Sequence, residues 1–401
     1  MDQTVRRIAE AGLVLIAHDT TECHYNGERE GLGRLRGTKN EGFLAHMSLA
    51  MTADRVRRPL GIVGLHTWTR QGPVRSKNAD GKVRNGEDYA KDADKESLRW
   101  FAQVTEVRER VGDGAQLVHL ADREGDAYPL LAKMQAAGDR FVVRMARDRI
   151  ARNEDDPDLP DKVRALLARS EYIVELEVPL SRRDAKPTPG SNKLALPREA
   201  RDARLAIAGA SIEIRRPDYL TDLPPWLSLN VVCVREVDPP DGADPVEWVL
   251  FTTEPIDSWK DALRVVEFYR ARWLIEEFFK ALKTGCELEK RELESYQTLV
   301  NVLAILIPIA WQMLLLRSLA RSQPDLSAEI ALSPTQLDVL RACGHAPLSQ
   351  KPNVRQALFA VAALGGHHNN RPPGWLVIGR GMEKLILLET GWNARKDTTE
   401  R

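Results

Sequence analysis

The 401 residues carry 58 Lys plus Arg against 58 Asp plus Glu, a net charge of zero. No global excess of charge marks a nucleic-acid or membrane-surface binder, so any phosphate contact must come from local clusters. The length suffices for two or three packed domains. Cys23, Cys233, Cys286 and Cys343 are scattered without CxxC spacing, which implies no disulfide framework and fits a reducing cytosol.

The amino terminus, MDQTVRRIAEAG, has no secretory apolar region. Residues 11–70 then offer three strands, LVLIAHD, GFLAHMSLAM and LGIVGLHTWT. The first is a run of apolar residues that ends abruptly at Asp19. Residues 71–95 are polar, with Gly and Pro, and predict a loop. Helical periodicity covers Glu96 to Val111. A strand from Gln116 ends at Asp122, a helix spans Ala127 to Ala137, and RFVVRMA is a further strand. This order predicts an α/β core over residues 1–150.

From 151 to 255 the pattern changes to YIVELEVPL, RLAIAGASIEIR, WLSLNVVCVRE and VEWVLFTTE, divided by Pro, Gly and Asp. These predict a mainly β insertion. The core resumes with a helix in 256–290. Residues 291–401 are mainly helical and end in a charged, frayed tail, WNARKDTTER. Leu299 to Leu316 is barely long enough to span a membrane and contains Asn301, Pro308 and Gln312. It is expected to be a buried helix, packed on the apolar side of the helix before it.

The chemistry concentrates in that preceding helix. Tyr269, Arg272, Glu276 and Lys283 are spaced by three, four and seven residues. At about 100° per residue they share an arc of roughly 60°. Leu274, Ile275, Phe278, Phe279 and Leu282 occupy the opposite side. Such a helix alone is ordinarily a surface helix with salt bridges, and a lone Asp at a strand end is ordinarily a cap or turn. Asp19, Asp122 and Glu276 together make an all-oxygen donor set suited to Mg²⁺ or Mn²⁺.

Basic residues cluster at Arg34, Arg36 and Lys39, at Arg55, Arg57 and Arg58, and at Arg140, Arg144, Arg147, Arg149 and Arg152. Gly31, Gly33 and Gly37 depart from a dinucleotide loop by one residue and are turn glycines. Cys343, His345, His367 and His368 match no common zinc finger. No GxSxG is present.

These residues resemble the cut-and-paste DDE transposases of the insertion-sequence-4 group, most closely the transposon-five branch. That family carries Tyr, two residues, Arg, three residues, Glu, six residues, Lys, as at Tyr269, Arg272, Glu276 and Lys283. Its aspartates lie in Asp-Thr-Thr and Asp-Arg-Glu contexts, as do Asp19 and Asp122; RFVVR and EWVLFTTEP also match. The resemblance runs from about residue 11 to near residue 390.

It implies a ribonuclease-H-like catalytic core with a mainly β insertion and a carboxy-terminal helical dimerisation region. Asp19, Asp122 and Glu276 would hold two Mg²⁺ or Mn²⁺ ions, with Asp19 bridging. Tyr269, Arg272, Lys283 and Arg144 would contact DNA, and Trp248 would stack on a flipped base. The partners implied are double-stranded DNA, at transposon ends and target, and a second transposase protomer. No membrane is implied, and the expected location is the bacterial cytoplasm, on the nucleoid when bound to DNA.

One departure is that only 18 residues precede Asp19, where the family has an end-recognition domain of several dozen. The expectation is a chain truncated at its amino terminus. It would act either as an active transposase or as a silent, inhibitory fragment pairing with a full-length relative. A metal-dependent nuclease of the same fold is a further alternative. In the carboxy-terminal region, Val377, Ile378, Met382, Leu385, Ile386 and Leu388 are the expected contact residues between protomers.

Overall fold

In the computed structural model, which describes residues 1–35, 40–70, 96–153, 156–170, 172–180, 182, 186–187, 194–195, 197–243, 245–343 and 348–399, the chain opens with helix α1 (Asp2–Ala9). Asp2 in its first turn and Arg6 and Arg7 in its last complement the helix dipole. Gly12, at φ 71°, turns the chain into β1 (Leu13–Tyr25). There follow β2 (Gly33–Arg34), β3 (Glu41–Thr52), β4 (Pro59–Trp68), α2 (Glu96–Val111), β5 (Gln116–Ala121), α3 (Tyr128–Ala136) and β6 (Arg140–Arg144).

Next come β7 (Ile150–Asn153), β8 (Asp156–Lys162), α4 (Val163–Arg169), β9 (Tyr172–Leu180), β10 (Lys186–Pro187), β11 (Leu194–Ala195), β12 (Arg201–Arg215), β13 (Trp226–Glu236) and β14 (Glu247–Thr252). The rest is helical: α5 (Trp259–Ala271), α6 (Leu274–Lys280), a π turn (Ala281–Gly285), α7 (Tyr296–Ser322), α8 (Pro334–Cys343), α9 (Val354–Leu364) and α10 (Trp375–Thr399). The loop expected at 71–95 lies outside the described residues. The chain is thus mixed α/β, with parallel and antiparallel strand pairs. It divides into two compact units, built from the described residues of Met1–Arg75, Thr105–Leu117 and Ala271–Arg401, and of Ser76–Val104 and Val118–Arg270.

In the first unit β1, β3 and β4 pair antiparallel, and β2 lies on β3. Ile8, Val14, Ile16, Ala50, Val63 and Val107 form a core cluster. β1 does not end at Asp19. It runs on through Thr20, Thr21 and Tyr25, β-prone residues whose partners on β3 extend to Glu41. Asp19 therefore stands in mid-strand, opposite Met47.

The helices of this unit are joined by glycine contacts. A Cβ built on Gly379 would lie 1.9 Å from the Gly285 carbonyl oxygen, and one on Gly381 would lie 1.8 Å from that of Val361. Only glycine lets α10 settle so closely on the π turn and on α9. Ile378, Met382 and Leu385 are buried in the same packing. This corrects their expected place on a protomer contact surface, because they fill the unit's own core. Val377 and Ile386 are half-buried, and Leu388 is exposed. The tail expected to fray is helical to Thr399. α7 buries Leu299, Leu303, Leu306, Ala310 and Met313 but exposes Ile305 by 64 %. It packs on the π turn, as the sequence predicts for its position after the glutamate helix.

In the second unit β5 and β6 are parallel and joined through α3, a βαβ unit. Antiparallel pairing continues from β6 to β14, β13, β12, β7 and β8, with β9 also on β12. Tyr128, Leu131, Phe141, Val231 and Phe251 centre its core. Residues 151–255 are strand-rich as expected, apart from α4, which buries Val163 and Leu167.

Candidate active site

Along the chain, α5 stops at Ala271. Arg272 and Trp273 form a turn with short-range bonds, Ile275 N–H to the Arg272 carbonyl (3.1 Å) and Glu276 N–H to that of Trp273 (3.1 Å). α6 follows and passes into the π turn, closed by Cys286 N–H donating to the Ala281 carbonyl at 2.9 Å. The expectation of one regular helix from Tyr269 to Lys283 is thus corrected. The 100° arithmetic fails across both irregularities. Tyr269 and Arg272, expected on the outward polar side, are each only 6 % exposed. Ile275, Phe278 and Leu282 are buried as the pattern predicts, and Leu274 is half-buried.

In the first unit the break serves a purpose. The buried Arg272 guanidinium lies 3.3 Å from Asp19 Oδ2 and donates to Glu276 Oε1 at 2.8 Å. One cation therefore holds a strand carboxylate and a helix carboxylate 257 positions apart in the chain. Asp19 Oδ1 also accepts from Thr20 N–H at 2.8 Å. Lys283 donates to the Glu22 carbonyl and pairs with Glu289 at 3.1 Å. Glu289 in turn accepts from His24 N–H at 2.9 Å. Lys283 thus ties the π turn to β1, three residues beyond Asp19.

Removing the guanidinium leaves two carboxylates facing one another with little water between them. Arg272→Ala is expected to cost about 2 kcal/mol, below the full penalty for a wholly buried pair because Asp19 and Glu276 retain some solvent. Arg272→Lys recovers only part, since an ammonium cannot fork to both. Urea unfolding of the two variants checks this. Equal stability of Arg272→Ala and the parent chain would contradict it.

Beneath Asp19, on the opposite side of the strand, lies a histidine network. His18 Nδ1 and Ser48 Oγ are 2.9 Å apart, as are His46 Nδ1 and Thr20 Oγ1. The His18 and His46 rings stack at 6.0 Å. Burial, then the like charge of His66, pushes the His46 imidazole down to about 3 from its usual 6.5. His46 is neutral in the fold, while the unfolded chain takes up its proton below pH 6.5. Stability from this group is complete above 6.5 and is lost as pH falls toward 3. The loss is about 1.4 kcal/mol per pH unit. Replacing His46 by Gln should flatten the acid limb of stability between pH 6 and 4, measured by urea unfolding at each pH, by nearly one proton.

The second unit holds the remaining candidates. Asp122 follows β5 and caps a 3₁₀ turn, accepting from Glu124 N–H at 2.8 Å. Arg144, at the end of β6, donates to the Glu247 carbonyl at 3.2 Å. Trp248 and Tyr269 meet edge to face, centroids 5.8 Å apart. The strand Trp and the helix Tyr, 21 residues apart, share one place in this unit. The pattern of residues did not single out Glu22, Glu289 or the histidine network. Only the alternation HDTTECH, polar residues inside a continuing strand, signalled the first of these.

Among the described residues no three His, Cys, Asp or Glu side chains form a ready metal cage; His345 of the zinc alternative lies outside them. Asp19 and Glu276 nevertheless fit a hard divalent cation. Both are oxygen donors open to solvent in part, and Glu276 Oε2 accepts no hydrogen bond among the described residues. Residues 89–311, more than half the chain, match the family described as Transposase DDE domain. Asp122, Arg144, Trp248, Tyr269, Arg272, Glu276 and Lys283 fall inside that range, and Asp19 precedes it.

Proposed function

Since the chain belongs to the transposase DDE domain family, we propose that it is a cut-and-paste DNA transposase of the insertion-sequence-4 group, closest to the transposon-five branch. Its metal-binding carboxylates are Asp19, Asp122 and Glu276, on a ribonuclease-H-like core interrupted by a β insertion. The observation that carries this reading is the Asp19–Arg272–Glu276 cluster. An internal guanidinium keeps two distant carboxylates as neighbours, an arrangement that surface salt-bridging does not require.

Bound Mg²⁺ or Mn²⁺ would supply Lewis acidity at the phosphoryl group and a more acidic water. The chain's own part is orientation. Arg272 fixes the carboxylates of Asp19 and Glu276, and Lys283 fixes the π turn on β1. Arg144, Arg272 and Lys283 neutralise DNA phosphates, Tyr269 donates to a phosphate oxygen, and Trp248 receives an unstacked base. In the first reaction water oxygen bonds to phosphorus as the P–O3′ bond breaks, freeing a 3′ hydroxyl. That hydroxyl next attacks the opposite strand to close a hairpin. After the hairpin is reopened by water, the same hydroxyl attacks target DNA. Each attack makes one P–O bond and breaks another, and needs no nucleotide cofactor.

The carboxy-terminal helices, with Leu388 exposed on α10, are the proposed contact with a second protomer, and the cytoplasm is the proposed location. The test is cleavage of end-labelled duplex DNA with Mg²⁺ or Mn²⁺. Metal-dependent strand cuts by the parent chain, lost on Asp19→Asn and Asp122→Asn alike, are expected. Cleavage that survives either change would overturn the assignment.

A further inference from the structure

In the second unit the arginines of residues 140–152 differ in their company. Arg140 pairs with Glu254 at 2.6 Å, Arg149 with Asp126 at 2.6 Å and Arg152 with Glu213 at 2.5 Å. Arg144 donates to the Glu247 carbonyl at 3.2 Å. Arg147 is exposed, and among the described residues its guanidinium has no hydrogen bond or ion pair.

A solvated arginine is ordinarily carried by a loose surface loop. The backbone beneath Arg147 is held instead at every step from residue 145 to 149, between β6 and β7. Met145 N–H donates to the Val249 carbonyl at 2.8 Å. Asp126 Oδ2 accepts from Ala146 N–H at 2.6 Å and from Arg147 N–H at 3.0 Å. The Asp126 side chain is fully buried, with its other oxygen 2.6 Å from Arg149 Nη1. Arg149 Nη2 donates to the Asp126 carbonyl at 3.0 Å. Asp148 Oδ1 accepts from Arg164 N–H at 3.1 Å, and the Arg149 carbonyl accepts from Val163 N–H at 3.1 Å. Burying a carboxylate is costly unless donors surround it. Here two of those donors are the amides of an exposed loop, Ala146 and Arg147.

The place of this loop is also informative. β5 and β6 are parallel, with Ala121 opposite Val143. Asp122 and Arg144 therefore leave the sheet at the same edge, the carboxyl end of parallel strands, where ligands gather. The loop begins there, and Asp126 lies four residues after Asp122. A guanidinium fork matches the paired oxygens of a phosphate, and a fixed backbone lowers the ordering cost of binding one.

We infer that Arg147 binds a phosphate of the DNA backbone, and that Asp126 is the positioning residue that holds its loop in place. The inference rests on the DNA-processing reading above. It extends that reading to an arginine outside the Tyr/Arg/Glu/Lys signature and to a carboxylate that touches no DNA.

The test is fluorescence anisotropy of a short labelled DNA duplex, in EDTA, over a series of salt concentrations. Arg147→Ala is expected to weaken binding about tenfold and to lower the slope of log K against log[salt] by about 0.9, one phosphate contact's worth on a duplex. Arg147→Lys should keep the slope while binding more weakly than the parent. Arg215→Ala is the control. That guanidinium is exposed but paired with Asp218 at 2.9 Å, and its loss should leave affinity and slope unchanged. Asp126→Asn offers one acceptor oxygen where the carboxylate has two, so it cannot hold both the loop and Arg149. It should weaken binding in the parent chain and add nothing in an Arg147→Ala background. Asp126→Glu takes its place if Asp126→Asn does not fold, as judged by circular dichroism.

A folded Arg147→Ala chain that keeps the parent's affinity and slope overturns the inference. So does one that loses no more than Arg215→Ala, or a parent chain that binds no duplex. An equal loss from the Asp126 change in both backgrounds overturns the positioning role, because a purely structural residue would act without regard to Arg147. EDTA removes cleavage from the readout, so the two readings fail separately. A parent chain that binds through Arg147 but cuts no DNA with Mg²⁺ or Mn²⁺ sinks the transposase reading alone. One that cuts DNA while Arg147→Ala binds unchanged sinks only the role of Arg147.

Discussion

Glu276→Gln is expected to lower metal-dependent DNA cleavage by at least about 10³-fold, or roughly 4 kcal/mol of barrier. The change removes one charge and almost no volume. Its amide oxygen can still accept from Arg272, which now donates to Oε1 at 2.8 Å. The fold is therefore expected to lose less than about 1 kcal/mol, within the range of a single weakened hydrogen bond. What is lost is an anionic oxygen donor, and a neutral amide is a poor substitute for a carboxylate at a hard cation. Initial rates with Mg²⁺ and with Mn²⁺, beside urea unfolding of the same samples, separate the two effects. A variant that cleaves within tenfold of the parent would remove Glu276 from the metal-binding set.

The second large effect is on stability. Gly379→Ala is expected to cost about 3 kcal/mol or more, the upper end for overpacking. The added carbon would meet Gly285 oxygen at 1.9 Å and Gly285 Cα at 2.8 Å. Both are backbone, so relief requires α10 to withdraw from the π turn rather than a side chain to swing aside. Gly391→Ala is the control on the same helix. Its Cβ would meet nothing within 4 Å, and the helix should gain up to about 1 kcal/mol from the better helix former. Urea midpoints at unchanged m-value report the difference. Since Lys283 lies in the π turn and bonds to the Glu22 carbonyl, cleavage should fall in Gly379→Ala even where it remains folded. Equal midpoints for the two variants would show that α10 does not rest on Gly285.

Features that depend on local periodicity were legible before the structure. Helix α2 has the bounds its pattern implies, Glu96–Val111, and β5 ends just before Asp122. The strands β9, β12, β13 and β14 lie where runs of branched and aromatic residues predict them. Features that depend on distant partners were not legible. β1 runs past Asp19 because β3 supplies a partner for every residue to Tyr25. The turn at Arg272 and Trp273 interrupts a pattern that would otherwise continue a helix, and Arg272 is drawn onto Asp19 by an interaction spanning 253 positions.

The carboxy-terminal helix shows the same limit. Ile378, Met382 and Leu385 form an apolar stripe that suits a partner or a core equally well. The decision came from Gly379 and Gly381, whose lack of a side chain admits the unit's own backbone.

If the carboxylates serve phosphoryl transfer on DNA, the chain should join a pre-cut DNA end to a target. The purified chain is mixed with a short duplex bearing a free 3′ hydroxyl and a supercoiled plasmid, with Mn²⁺ or with EDTA. Covalent joining of the duplex to the plasmid is expected in Mn²⁺ alone, and is expected to be lost in Asp122→Asn with the fold unchanged. Joining that persists in EDTA, or that proceeds equally well in Asp122→Asn, would contradict it.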